Sequence, residues 1–280
     1  MSSAPYLATL DPSAQVRVMS SLSATARGRD KDLVTPIIGK NSECYDCLRD
    51  QYRNELERAI VPSGYPLLDE LEQGQGAKIG AYSIMLPYIE RKPQVLSYFE
   101  RREVNIDDTA LDFAYRNLTR RMPRNLSPVS VQDAFDGMPK GTNQGAPFFS
   151  ANEKYRDGSL KLAQEVVAND YTSYRKDDPC LLYWRGQPRG IGESPKQRTV
   201  WGYPHWITIL ELMIQMALLP ELKLLPEFSA WVSSDRVADT ITSMFSRTED
   251  IPLLSVDFSG FDASVPRKLI MLAFDVLRYS

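Results

Sequence analysis

The chain has 280 residues, 43% hydrophobic and 25% charged, with 33 Lys and Arg against 36 Asp and Glu for a formal charge of -3. Those proportions belong to an ordinary folded protein and exclude a wholly disordered chain, a collagen-like repeat and a disulfide scaffold. Slight acidity also excludes a protein that coats nucleic acid by bulk charge, so any such contact must come from local clusters. Three cysteines form no even disulfide set and fit a reducing compartment.

In chain order, Met1 to Asp30 is rich in Ser and Ala, lacks the apolar core of a secretory signal, and reads as an arm without a core of its own. Residues 41–60 read as a helix carrying Cys44, Leu48, Leu56 and Ile60, stopped by Pro62-Ser63-Gly64. Short helices are expected over 66–73 and 81–104, with the Gly74–Gly80 loop between them. Residues 108–122 form an amphipathic pattern with Leu111, Ala114, Tyr115 and Leu118 on one face, ended by Pro123.

A Gly- and Pro-rich zone at 136–150 precedes a helix over 159–176 and an extended Leu181-Leu182-Tyr183-Trp184. After a second such zone at 185–195, Arg198-Thr199-Val200-Trp201 is β-like. A long apolar helix starts near Pro204. Its stretch Ile207–Leu225 holds Glu211, Gln215, Pro220, Glu221 and Lys223, which makes it a buried helix and not a bilayer span. Ile251–Phe258 has the composition of a core strand. Ser264-Val265-Pro266 then opens a helix, with Ser as N-cap.

That last helix keeps its apolar spacing (Leu269, Leu272, Ala273, Val276, Leu277) with no stop signal, and one late strand cannot make a sheet. The expectation is that these residues are the front part of a longer protein. Helices exceed strands throughout, so the fold class is α+β and helix-rich.

Chemistry concentrates in three places. Asp257-Phe258-Ser259-Gly260-Phe261-Asp262-Ala263-Ser264 puts a carboxylate at a strand end, a Ser-Gly turn after it, and a second carboxylate five residues on. Mg²⁺ prefers one or two carboxylates plus substrate phosphates, which suits such a mouth; solvated caps are the plainer alternative. Between Trp184 and Val200 stand Arg185, Arg189, Lys196 and Arg198 against one acid, Glu193. Lys196 and Arg198, two apart on a strand, share a face and can meet one triphosphate. The third place is Gly141-Thr142-Asn143-Gln144-Gly145-Ala146-Pro147-Phe148, a loop able to present backbone N–H groups and small polar side chains to a sugar-phosphate backbone.

The octet resembles the first palm motif, motif A, of viral RNA-dependent RNA polymerases of the picornavirus-like group, and most of all that of picobirnavirus polymerases. Lys196-Gln197-Arg198 resembles the end of their motif F. The Thr142–Pro147 loop resembles their motif G at the template entrance. The three occur in the family's order, with 59 residues from Arg198 to Asp257, room for a helical insert such as 205–245.

The resemblance implies a right-hand polymerase: an N-terminal arm over 1–40, fingers over 41–250, and the start of an antiparallel palm sheet, incomplete, over 251–280. It implies an RNA-directed RNA polymerase, a nucleotidyltransferase working by two-Mg²⁺ phosphoryl chemistry, with Mn²⁺ as the alternative ion. Asp257 would bind metal and Asp262 would sense the ribose 2′-hydroxyl. Arg185, Arg189, Lys196 and Arg198 would hold the nucleotide, and Thr142, Asn143, Gly145 and Pro147 the template. The implied partners are template and nascent RNA, ribonucleoside triphosphates and a capsid protein, in a virion interior or host cytoplasm. All of this joins into one expectation, that Asp257 and Asp262 face a cavity roofed by Lys196 and Arg198.

The family's Gly-Asp-Asp string does not occur in the 280 residues, so the chain alone is expected to be inactive. Arg116, Arg120, Arg121 and Arg124 could line a template path or form a solvated helix face. Cys44 and Cys47 have metal spacing without two further ligands, and His205 has no neighbouring nucleophile for a hydrolase triad. Gly74-x-Gly76 and Gly190-x-Gly192 read as turns, and Asp107-Asp108 and Asp177-Asp178 as caps or solvated loops. A non-catalytic RNA-binding or scaffold protein is the alternative from another class. Reverse transcriptase is the alternative enzyme, disfavoured because a deoxynucleotide user gains nothing from sensing a 2′-hydroxyl.

Overall fold

The computed structural model describes residues 4–34, 51, 54–59, 64–76, 82–100, 105–175, 177–187, 196–247 and 254–278. Two compact units divide the chain: one takes Met1–Val95 with Cys180–Gly202, the other Leu96–Pro179 with Tyr203–Ser280.

In the first unit the N-terminal segment folds as helices, α1 (Ala4–Ala8) and α2 (Pro12–Arg27). The start of α2 is written locally: the Asp11 carboxylate accepts from the Ala14 N–H at 3.0 Å and Pro12 occupies the first turn. Leu10 and Ala14 are buried here. Gly28 ends the helix with φ +73°, and a Cβ at this position would lie 2.7 Å from the Met85 carbonyl oxygen, so only glycine lets the chain pass. Strand β1 (Arg29–Val34) follows and pairs antiparallel with β2 (Tyr82–Met85). Residues 82–85 are therefore a strand where the sequence suggested helix: pairing with β1 overrides local pattern, and the helix begins only after Pro87, as α4 (Tyr88–Ser97). Helix α3 spans Pro66–Gly76. Of the helix expected over 41–60, residues 51 and 54–59 are described and helical; the rest, with Cys44 and Cys47, lies outside the described residues.

Strands β3 (Leu181–Gln187) and β4 (Lys196–Gly202) form a second antiparallel ribbon. Arg91 of α4 backs it. Its buried guanidinium lies 4.1 Å from the Trp184 ring centroid while Nε donates to the Leu86 carbonyl at 2.7 Å. Gln94 Nε2 donates to the Gln197 carbonyl at 2.7 Å, so α4 holds the strand between its two cations.

The second unit is helical. Helices α5 (Asp108–Arg121), α6 (Val131–Asp136) and α7 (Arg156–Ala168) lead to α8 (His205–Leu222). Asp107 and Ser130 cap α5 and α6 through the Thr109 and Asp133 N–H groups at 2.8 and 3.1 Å. The core joins Ala134, Phe135 and Met138 with Ala163 and Val166 of α7 and Trp206, Ile209 and Met213 of α8. Trp206, Ile209 and Met213 sit three and four apart, so α8 buries a stripe. Ile214 and Met216 stay exposed, so the helix expected to be buried is buried along that one stripe. Asp178, expected to be solvated, is buried: it is paired with Arg175 at 2.8 Å and accepts from the Trp206 indole N–H at 3.1 Å.

A 3₁₀ segment Pro226–Trp231 leads to α9 (Ser234–Arg247). Residues 254–258, expected as a strand, have no ladder partner among the described residues and are irregular, with Leu254 87% exposed and Val256 59%. A strand exists through its neighbour, and composition alone does not supply one. After α10 (Phe261–Ser264), helix α11 (Arg267–Arg278) begins with the Leu269 N–H bonded to the Pro266 carbonyl. Ser264 is not its cap, because its hydroxyl donates back to the Phe261 carbonyl at 3.2 Å. Lys268 of α11 pairs with Asp108 of α5. Among the described residues no helix is long and apolar enough to cross a membrane.

Candidate functional site

The β3–β4 register sets Arg185 opposite Arg198 and Gln187 opposite Lys196. Directly paired residues lie on the same side of an antiparallel ribbon, and residues two apart on a strand share that side. Arg185, Lys196 and Arg198 therefore occupy one face, and the alternation of exposed 196, 198 and 200 with half-buried 197, 199 and 201 shows that this face looks outward. Among the described residues none of the three cations makes an ion pair. The sequence placed Lys196 and Arg198 together; the register adds Arg185. Arg189 lies outside the described residues.

The 141–149 loop in the second unit is built from the inside. Gln144, 3% exposed, uses both ends of its amide: Nε2 donates to the Thr142 carbonyl at 3.1 Å, and Oε1 faces His205 Nδ1 at 2.9 Å and the Ser159 hydroxyl at 3.1 Å. Its backbone carbonyl accepts the His205 N–H at 2.9 Å, which satisfies a donor at the start of α8. His205 Nε2 stands 3.3 Å from the Thr142 hydroxyl. Burial, with the Arg156 charge adding to it, holds the imidazole below its ordinary value.

The loop was expected to present backbone N–H groups, and two at its centre are not available for that. The Gly145 N–H is taken by Asn143 Oδ1 at 2.9 Å and the Gln144 N–H by the Ser150 carbonyl at 2.8 Å. Gly145 is buried against Pro204, and Gly141 and Thr142 are the exposed members. Buried polar groups must find partners, and a loop this enclosed finds them in itself. Gln144 and His205 were missed as functional candidates because a polar amide in a turn reads as solvated and a lone histidine as unremarkable.

Asp257 and Asp262 are both exposed. Gly260, at φ +60°, makes the left-handed turn between them, and its carbonyl accepts the Ala263 N–H at 3.0 Å to start α10. Burial raises the Tyr98 hydroxyl above its ordinary value, and the Asp262 charge adds to that rise, which brings Tyr98 into the surroundings of the second carboxylate. Among the described residues no group of three or more His, Cys, Asp or Glu could hold a metal. A single exposed carboxylate such as Asp257 is a donor of the kind Mg²⁺ takes when phosphate and water fill its other positions. The aspartates belong to the second unit and the cation face to the first.

The family profile described as "Viral RNA-dependent RNA polymerase" matches residues 94–280, two thirds of the chain. The chain belongs to the viral RNA-dependent RNA polymerase family. Across 217 residues it is 30% identical to the "Potential RNA-dependent RNA polymerase" of Human picobirnavirus (strain Human/Thailand/Hy005102/-), covering 72% of this chain and 39% of that protein. It is also 30% identical over 159 residues to the "RNA-directed RNA polymerase" of Cryptosporidium parvum virus 1 (strain KSU-1), covering 55% and 30%. The crystal structure of a human picobirnavirus RNA-dependent RNA polymerase superposes with a TM-score of 0.67 at 24% identity, over 96% of this chain and 54% of that one. The helix-rich fold is thus a polymerase fold. This polymerase-family chain spans about two fifths of the first curated relative and about half of the solved structure.

Proposed function

We propose that the chain contributes template-directed ribonucleotide transfer on RNA, the activity named for its relatives, with 1–40 as arm, 41–250 as fingers and 251–280 as the start of the palm. The observation that carries this reading is the outward face of Arg185, Lys196 and Arg198, three cations without an acidic partner among the described residues, in a chain of polymerase kin. Such a face calls for an anion of several charges, and a ribonucleoside triphosphate supplies it. The two arginines grip phosphate oxygens through paired N–H donors while Lys196 acts as a point charge. Their neutral counterpart in solution is water, which reorganises; fixed cations do not.

Asp257 is the carboxylate to hold Mg²⁺ or Mn²⁺, which when bound supplies charge stabilisation and in-line alignment of phosphoryl transfer. Asp262 accepts a hydrogen bond from the ribose 2′-hydroxyl and so favours ribonucleotides. Thr142 and Asn143 offer the template short polar side chains, and Gly145 and Pro147 shape the loop that carries them. RNA and ribonucleoside triphosphates are the proposed partners, with a capsid protein as a further one, in a virion or host cytoplasm.

The test is incorporation of labelled ribonucleotide on an RNA template. The 280 residues contain no Gly-Asp-Asp and should give none alone. A chain extended to the relatives' length should be active, should lose nearly all turnover with Asp257→Ala, and should lose sugar discrimination with Asp262→Ala. Full activity of the extended Asp257→Ala chain would refute the assignment. RNA affinity with a steep salt dependence and no response to Mg²⁺ would instead favour the binding-protein reading.

A further inference from the structure

We propose that His205 is a positioning residue for the 141–149 loop, acting through Gln144 to hold the shape in which Thr142 faces outward; this rests on the reading of that loop as a template contact. The argument begins with which atoms can donate. The Thr142 carbonyl can only accept, so the Gln144 nitrogen is the atom bonded to it at 3.1 Å, and the Gln144 oxygen is the one turned to His205. An acceptor 2.9 Å from Nδ1 requires Nδ1 to carry the proton. In the neutral ring Nε2 then accepts, and its neighbour is the Thr142 hydroxyl at 3.3 Å, whose one proton is shared with the Pro139 carbonyl at the same distance.

One imidazole thus holds the Gln144 end of the turn and stands beside its Thr142 end, and the main chain repeats the hold, His205 N–H to Gln144 carbonyl at 2.9 Å. Ser159 of α7 makes the third attachment, to the same Gln144 oxygen at 3.1 Å. His205 and Ser159 stand on the two helices that share the core, so the loop takes its position from the rigid part of the unit. The loop has little freedom of its own to add, since the Phe149 N–H closes it on the Gly145 carbonyl at 2.7 Å. Losing His205 leaves a buried amide oxygen with one partner in place of two and loosens the Gln144 anchor on which the exposed Thr142 end depends.

Side-chain geometry supplies a specific test. An asparagine amide nitrogen reaches the place of Nδ1, and a glutamine amide nitrogen the place of Nε2. The 280-residue chain carrying His205→Ala, His205→Asn or His205→Gln is compared for amide hydrogen exchange across 141–149 and for binding of a fluorescein-labelled oligouridylate by anisotropy. Alanine and glutamine should speed exchange at Gln144 and Phe149 and weaken RNA binding about tenfold, the worth of one buried hydrogen bond. Asparagine should restore both. If alanine prevents folding, the asparagine and glutamine pair carries the comparison. Unchanged loop exchange in every variant, or equal rescue by glutamine and asparagine, overturns the His205 role. Faster exchange with unaltered RNA affinity leaves the latch standing but overturns the loop as a template contact and, with it, this proposal.

Discussion

Arg185 and Arg198 are directly paired residues of the β3–β4 ladder, like charges facing each other on an exposed surface. Placed this way, two guanidinium groups cost the ribbon stability, where an opposite-charge pair would contribute roughly 0.2–1 kcal/mol. Lys196, two residues from Arg198, adds a third charge to the same face. The arrangement makes physical sense when an anion completes it.

Arg185→Gln and Arg198→Gln should therefore leave the thermal midpoint unchanged or slightly higher while weakening the binding of inorganic tripolyphosphate. Calorimetric titration at several salt concentrations checks this, and each substitution should also flatten the salt dependence. A drop in stability with unaltered anion binding would mean that the arginines serve the ribbon alone.

Gly145→Ala should destabilise the second unit. The backbone is at φ +67° and the new Cβ would sit 2.8 Å from Pro204 Cα, so strain and overlap add, at roughly 1–3 kcal/mol. Gly141→Ala is the control: φ is +75° but nothing lies within 4 Å, leaving only the left-handed penalty of about 1 kcal/mol. Urea midpoints of the two variants should separate in that order.

Asp178→Ala removes the acceptor of the Trp206 indole N–H in the middle of the core and the partner of Arg175. A loss of about 3 kcal/mol is expected, most of it from the buried indole N–H left without its acceptor. Asp178→Asn keeps an oxygen for Trp206 and should cost less, because Arg175 is half in solvent and its pairing is screened. Near-ultraviolet circular dichroism of Trp206 and denaturant titration distinguish the two.

The lowered His205 value sets a direction with pH. The unfolded chain takes up this proton near the ordinary 6.5, the folded chain only further down. Stability attached to the neutral imidazole is present above the unfolded value and lost as the pH falls through the folded one. Between about pH 7 and pH 5 the thermal midpoint of the unaltered chain should therefore fall more than that of His205→Asn. Parallel curves would place the titration elsewhere.

The octet at 257–264, the Lys196–Arg198 alternation and the Gly-rich loop were legible because each is local: a few residues whose types and spacing carry the chemistry. Helices α5 and α8 were legible for the same reason, since an amphipathic or apolar stripe and a cap are written in consecutive residues. The strand at 82–85 was not, because it exists through pairing with 29–34, about fifty residues away. The strand expected at 254–258 failed in the opposite sense, having the composition without a described neighbour.

By itself the sequence singled out the side chains proposed to meet phosphate, metal and ribose, and their order along the chain, because chemical type and short spacing survive without a fold. Only the tertiary structure decided that Arg185 stands against Arg198, that Gly145 turns its N–H inward, and that His205 holds Gln144 from 61 residues away. Those are facts of register and burial. A hydrogen bond or a like-charge pair between distant residues depends on how the backbone brings them together, and nothing in their local spacing encodes that distance.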